Sequence, residues 1–280
     1  MDIRHLADPT RVTRMTTEEV RDTFLVDDLF AVDAISMLYC DADRAILGSA
    51  VPATKPLTLE SAPELRADTF CERRELGILN IGGPGTITVD GKDYPMAPRD
   101  GLYVGRGSRS ITFASTPAAG GDEVPARYYL LSFPAHAAYP TAHVRPGDTE
   151  PLRLGTPEEA NQRTLYKLIH PAGVRSCQLV MGFTVLEPGS VWNTMPPHTH
   201  DRRMEVYLYF DLPENGRVFH FMGRPDATRH LVVAEGQAVI SPSWSIHCGA
   251  GTGAYSFCWG MGGENQAFDD MDHLTLGDLQ

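Results

Sequence analysis

The stretch Pro196-Pro197-His198-Thr199-His200-Asp201-Arg202-Arg203-Met204-Glu205-Val206-Tyr207-Leu208-Tyr209-Phe210 constrains this chain more than any other. His198 and His200 stand two positions apart. Alternate residues of a strand share a face, so both imidazoles point the same way. The alternating run from Glu205 to Phe210 reads as a second strand, and Asp201 to Arg203 as the polar turn between the two. A strand, a short turn and a returning strand bring Glu205 opposite the histidines. Two neutral nitrogens and one carboxylate then face one divalent cation.

The flanking sequence extends the pattern. A turn signal, Glu187-Pro188-Gly189, sits where the first strand should begin, and Glu205 follows His200 by five residues. Downstream, Glu235-Gly236-Gln237-Ala238-Val239-Ile240-Ser241-Pro242-Ser243-Trp244-Ser245-Ile246-His247 is a Gly-opened apolar strand, a Pro turn and a histidine. Together these resemble the paired motifs of the cupin superfamily. Gly236, Pro242 and His247 fit the second motif, while Trp244 stands where that family usually has Gly and Gly251 where it has Asn. Eight residues separate Gly189 from His198 where the family has five. The resemblance implies that His198, His200, Glu205 and His247 hold one metal ion.

Composition bounds the rest. The 280 residues suffice for one large or two ordinary domains, and 26 Gly with 21 Pro point to many turns and a β-rich fold. A formal charge of −12 repels the phosphate backbone of nucleic acid, and it obliges any anionic small substrate to find a local basic pocket. The five cysteines are odd in number and include no C-x-x-C, which suits free buried thiols in a reducing compartment. The N-terminus carries no export signal, and no apolar run reaches the length of a membrane span. The expectation is a cytoplasmic protein with no membrane partner and no nucleic-acid partner.

Along the chain, Thr16-Thr17-Glu18-Glu19 reads as a capping box opening a short helix towards Leu25. Short apolar segments follow, with a hairpin signal at Asp90-Gly91. The Pro- and Ala-rich segment from Pro134 to Leu154 reads as a linker, dividing the chain into domains 1–150 and 151–280. Thr156-Pro157-Glu158-Glu159 predicts a second capped helix running to about Ile169. Seven apolar segments from Cys177 to Trp259 read as strands. The halves repeat weakly: Glu72-Arg73-Arg74-Glu75 resembles Asp201 to Glu205, and Gly101 to Ser110 lines up with Ala238 to His247. On that register Ser110 takes the place of His247, and no H-x-H precedes Glu72, so the first half would lack the metal. The expected fold is all-β: two cupin barrels (double-stranded β-helix, jelly-roll) with short capped helices.

Several strings narrow the resemblance further. Glu72 to Gly77, Trp192-Asn193-Thr194-Met195-Pro196, His198 to His200, Arg202 to Tyr207, Ile240 to His247 and Gly263-Glu264-Asn265-Gln266 look like the 5-keto-4-deoxyuronate isomerase family. The likeness spans about Asp27 to Asp272. It implies a homohexameric bicupin with one Zn²⁺ per chain. It also implies a ketol-isomerase that converts 5-dehydro-4-deoxy-D-glucuronate (4-deoxy-L-threo-5-hexosulose uronate) to 3-deoxy-D-glycero-2,5-hexodiulosonate in pectin breakdown. Such a reaction moves a proton between adjacent carbons through an enediolate that a divalent cation stabilises. The same ligands also suit Fe, Mn or Ni, which leaves a cupin Fe(II) dioxygenase and a non-catalytic sugar-binding cupin as competing readings. His220, Tyr207 and Tyr209 are candidates for the proton-transfer group, which the sequence does not single out. For the substrate carboxylate, Arg163, Lys167, Arg202, Arg203 and Arg229 are available, with at most one of the adjacent Arg202 and Arg203 entering the pocket. Trp192 shares the parity of His198 and is a candidate pocket wall. The substrate-binding set drawn from these is Arg163, Trp192, Arg203 and Tyr207. The acidic run Asp269 to His273 could supply a further metal ligand, but such a run reads more often as a solvated end.

Overall fold

Runs of β-branched and aromatic residues, punctuated by Gly, Pro and Asp, become strands throughout the chain. A computed structural model describes residues 1–116 and 124–280. Two compact units emerge. The first holds Met1–Arg4, Asp28–Thr149 and Leu168–Leu179; the second holds His5–Asp27, Glu150–Lys167 and Val180–Gln280. The units are therefore not the contiguous halves 1–150 and 151–280. Residues 5–27 join the second unit because the helix Thr17–Phe24 buries Val20 and Phe24 in its core, and the strand Leu25–Val26 pairs with Ala238–Ser241.

The first unit places a seven-stranded sheet, in the order Asp2–Arg4, Ile35–Cys40, Ile46–Ala50, Tyr128–Pro134, Arg74–Asn80, Gly101–Val104, Ala142–Val144, against a four-stranded one. The four strands are Leu57–Thr58, Ile111–Ser115, Gly85–Val89 and Lys92–Met96. Ile78, Leu102 and Tyr128 from the first sheet share one core with Ile87, Phe113 and Met96 from the second. The Asp90-Gly91 hairpin closes as its sequence predicts: both residues have positive φ, 50° and 81°, and Val89 pairs with Lys92.

The second unit repeats the plan. Its larger sheet runs Leu152–Leu154, Arg163–Ile169, Val180–Leu186, Ser256–Gly263, Arg203–Phe210, Ala238–Ser241, Leu25–Val26; its smaller sheet runs Trp192–Asn193, Cys248–Gly251, Val218–Arg224, Ala227–Val233. Register fixes the equivalences between the units. Leu76 pairs with Ser132 and Val104, as Glu205 pairs with Met261 and Ser241. Leu76 thus occupies the place of Glu205, and Arg74 that of Arg203. The repeated Arg-Arg is in register, whereas Glu75 falls one residue short of the ligand position.

The helix expected from Thr156 to Ile169 is instead a turn followed by the strand Arg163–Ile169. The capping signal is real but short-lived, since the Glu159 amide donates to Thr156 Oγ1 at 3.3 Å. Beyond it, Thr164, Leu165, Tyr166 and Ile169 favour extended backbone, and strand pairing with Leu152–Leu154 settles the outcome. At the N-terminal helix the same signal holds in full, with a reciprocal box between Thr16 and Glu19.

Inside the first unit, Glu75 is fully buried. Its carboxylate accepts from the amides of Cys177, Gln178 and Leu179 at 2.6, 2.7 and 2.8 Å and from the Tyr103 hydroxyl at 2.8 Å. Removing it strands four donors, two of them fully buried and two half-buried. Glu75→Ala is expected to lower the unfolding free energy by about 3 kcal/mol, measured by denaturant titration; a loss under about 1 kcal/mol would mean those donors find other partners.

Candidate metal centre

Each of the four anticipated ligands arrives from a different piece of the second unit. His198 lies on the short strand His198–Thr199, and His200 follows at the turn. Glu205 is the third residue of the fully buried strand Arg203–Phe210. His247 ends the Pro242 turn, where the Ser245 amide donates to the Pro242 carbonyl at 2.9 Å, directly before the strand Cys248–Gly251. Their ligand atoms lie within 4.8 Å of one another, and among the described residues they form the one such group. Glu205 Oε2 is 2.9 Å from His247 Nε2 and 3.1 Å from His200 Nε2, while the Nε2 atoms of His247 and His198 are 3.0 Å apart.

The outer contacts fix which nitrogens face inward. His200 Nδ1 donates to the Arg203 carbonyl at 2.9 Å, and His247 Nδ1 to the Ser245 carbonyl at 3.3 Å. A carbonyl only accepts, so the proton sits on Nδ1 and the Nε2 lone pair points at the centre. In the neutral rings the Nε2 lone pairs of His200 and His247 face the Glu205 carboxylate at 3.1 and 2.9 Å, acceptor against acceptor, a repulsion that a cation between them relieves. Three imidazole nitrogens and one carboxylate oxygen in a buried site match a divalent transition-metal ion.

Burial and the neighbouring charges set the ionisation. Burial, helped by the His247 imidazole, pushes His198 down to about 2. Burial also acts to lower His200, but the hydrogen bond and charge of Glu205 override it and raise the group. Burial acts to raise Glu205, yet the His247 and His200 imidazoles hold it well below the ordinary carboxylate range. His220, fully buried behind the site, is pushed down by burial to about 3.

The ligands open on a cavity of about 250 Å³. His198 and Glu205 line it together with Tyr207 and Arg163, and most of the remaining wall is apolar, including Phe257, Trp259 and Met261. Tyr207 is held by Thr194, hydroxyl to hydroxyl at 3.3 Å; burial and then the Glu205 charge raise it well above the ordinary tyrosine value. Arg163 is the one cation among the described residues of that wall. Trp192 is not in the wall; it stacks on Phe221 with centroids 6.0 Å apart. Arg203 is fully buried and spent on the carbonyls of Ala267 and Asp270, at 2.6 and 2.8 Å. Arg202 grips Asp270 and Asp272, Arg229 donates to the carbonyls of Val12 and Met15, and Lys167 lies 3.8 Å over the Phe268 ring. Of the proton-transfer candidates, Tyr207 reaches the cavity. Tyr209 and His220 sit behind it, bonded to each other at 2.7 Å.

The run Asp269 to His273 is solvent-exposed at Asp269, Asp272 and His273, as its sequence suggests, but it is not a loose end. Asp272–His273 forms a strand pairing with His198–Thr199, and Met271 and His273 line the cavity. The acidic run is what holds this segment in place, since Asp270 and Asp272 pair with Arg202.

With the metal removed, two depressed histidines oppose one raised one. His198 and His220 contribute stability above the unfolded imidazole value of 6.5 and lose it as the pH falls. His200 does the reverse, adding stability below that value and losing it as the pH rises through its own raised value. The chelated protein is therefore expected to lose unfolding free energy between pH 7 and pH 5, on the order of 1 kcal/mol per pH unit. Denaturant titrations in chelator at both pH values check this, and a midpoint that rises on acidification would contradict it.

Comparison with known proteins fits this geometry. The KduI/IolB family pattern matches residues 30–276. The chain is 55% identical to the 4-deoxy-L-threo-5-hexosulose-uronate ketol-isomerase of Lachnoclostridium phytofermentans, and 53% identical to the protein of that name from Kineococcus radiotolerans, over 100% of each chain. Among solved structures, an IolB-like protein from Salmonella typhimurium superposes with a TM-score of 0.71 at 14% identity, covering 90% of this chain and 96% of that one. Bacillus subtilis oxalate decarboxylase, described with Mn(II) centres, superposes at 0.53 with 10% identity over 80% of this chain and 69% of that one. These likenesses make the two-sheet units cupin-like. The full-length match in sequence, with the fold to accompany it, places this chain in the KduI/IolB family.

Proposed function

We propose that this protein is the zinc-dependent ketol-isomerase that converts 5-dehydro-4-deoxy-D-glucuronate to 3-deoxy-D-glycero-2,5-hexodiulosonate. The observation that carries the reading is the identity of 55% to a relative of that name along its whole length. The site agrees with it chemically. His198, His200, Glu205 and His247 would hold the ion, and zinc there would supply Lewis acidity for the negative charge that develops as a proton moves between adjacent carbons. Zinc does so without redox side reactions.

The remaining steps belong to the cavity wall. Tyr207 keeps its hydroxyl proton at neutral pH and can orient a substrate oxygen beside the ligand set. Phe257, Trp259 and Met261 exclude water and strengthen every polar contact within. A cytoplasmic homohexamer acting on a small uronate, with neither nucleic acid nor membrane as partner, completes the reading. No helix among the described residues is long and apolar enough to cross a membrane.

The test is metal analysis combined with an isomerisation assay on the unsaturated-uronate products of pectin lyases. The zinc-loaded protein is expected to turn over, chelator to abolish turnover, and His247→Ala to stay folded while losing zinc and at least about 100-fold in rate. Oxygen uptake by an iron-loaded form would favour the dioxygenase. Sugar binding without turnover at full zinc occupancy would favour a non-catalytic protein.

A further inference from the structure

The arginines of this protein sort by what neutralises or satisfies them. Arg202 has Asp270 and Asp272, Arg224 has Asp226, and Arg11 has Glu19. Arg74 and Arg203, both buried, spend their donors mainly on backbone carbonyls. Arg163 differs from both groups. It is half-buried on the strand Arg163–Ile169 and lines the cavity that contains His198 and Glu205. Among the described residues it makes one hydrogen bond, from Nη1 to the Asn161 carbonyl at 2.9 Å, and no carboxylate lies within ion-pair distance of it. That contact occupies Nη1 and leaves the donors of Nη2 and Nε uncommitted.

A half-buried cation with no carboxylate in direct contact is costly in a folded chain. Burial depresses its pKa, against the opposing influence of Tyr207, Tyr255 and the more distant Glu159 carboxylate, yet a guanidinium remains charged throughout the physiological range. Its position beside a mostly apolar wall strengthens the pull on an anion, because little water competes. The fork geometry of Arg suits a planar carboxylate accepting two parallel hydrogen bonds. The same residue lines a second, polar cavity with Arg153, Gln162 and Glu187, so it stands where the apolar chamber meets a wetter one. The net charge of −12 makes such a local cation necessary for any acidic substrate.

We infer that Arg163 is the specificity-determining residue of this site: its guanidinium anchors the substrate carboxylate while the carbonyl end of the sugar reaches the His198, His200, Glu205 and His247 set. This rests on the isomerase reading for the identity of the sugar, and on the cavity alone for the preference for an acid. The anchoring requires no change in the chemistry of the four ligands. Arg163 therefore acts on binding and orientation rather than on metal retention.

The experiment compares zinc-loaded wild type, Arg163→Lys and Arg163→Met. Each is titrated by calorimetry with 5-dehydro-4-deoxy-D-glucuronate and with its uncharged methyl ester, and each is assayed for zinc content and turnover. Wild type is expected to bind the acid about 10- to 100-fold more tightly than the ester. Arg163→Met should bind the two alike with zinc content unchanged, and Arg163→Lys should recover part of the preference. A merely structural role for Arg163 would weaken acid and ester together and leave their ratio intact, which would overturn the assignment, as would a wild type that does not prefer the acid. Turnover separates the two questions. An Arg163-dependent preference without turnover would sink the isomerase and leave the carboxylate anchor standing. Turnover with an unchanged ratio in Arg163→Met would do the opposite.

Discussion

The second unit is organised around a contact set that protein groups alone leave unfavourable. A buried carboxylate and three buried imidazoles converge within 4.8 Å inside a core of aromatic and aliphatic side chains. Polar atoms in such a place are tolerated only when each has a partner of the right kind. His200 and His247 have already committed their Nδ1 protons to backbone carbonyls, which in the neutral rings leaves two Nε2 acceptors facing the Glu205 carboxylate. A divalent cation resolves that frustration at a stroke. An ion held there would fix the turns that deliver His200 and His247 as much as local sequence does.

The repeat explains why there is one such centre. Register puts Leu76 of the first unit where the second has Glu205, and Leu76 is buried among Ile78, Leu102 and Phe113. The same two-sheet plan is filled with hydrocarbon in one case and with ligands in the other. Burying Leu there requires no compensation, whereas Glu205 calls for the imidazoles and the ion. The carboxylate of Glu75, one residue away, was turned to a different use. It ties three consecutive backbone amides of the segment 177–179 and leaves no capacity for a metal.

How much of this was legible in sequence follows from the range of each signal. Period-two alternation and hairpin chemistry are local, so the strand carrying Glu205 and the turn at Asp90-Gly91 could be placed from a few residues. The ligand set was legible because H-x-H, the glutamate and the later histidine each keep fixed local spacing within a recognisable motif. The segment Arg163–Ile169 misled because its capping box is also local and genuine, while the strand pairing that overrides it is not. The edge strand Leu25–Val26 was missed for the same reason, since its partner Ala238–Ser241 lies more than two hundred residues away. The fates of individual arginines were the least legible. Whether a guanidinium meets a carboxylate, a carbonyl or a cavity depends on tertiary neighbours that no spacing encodes.

Arg202 and Arg203 show what that dependence produces. Arg202 is the last residue of the turn and Arg203 the first of the strand; the one reaches the carboxylates of Asp270 and Asp272 while the other is buried against the carbonyls of Ala267 and Asp270. Both grip the same C-terminal segment. That segment contributes Phe268, Met271 and His273 to the cavity and adds a strand beside His198. Charges that seemed available for substrate are thus consumed in building the wall of its chamber. Once they are accounted for, the cavity has a four-residue cluster able to hold a cation at one place, the Arg163 guanidinium at another, and a largely apolar wall with a few hydroxyls between them. A ligand that satisfies all three carries an oxygen-rich end for the ion, a carboxylate for the guanidinium and a short carbon chain joining the two, which is the outline of an open-chain sugar acid.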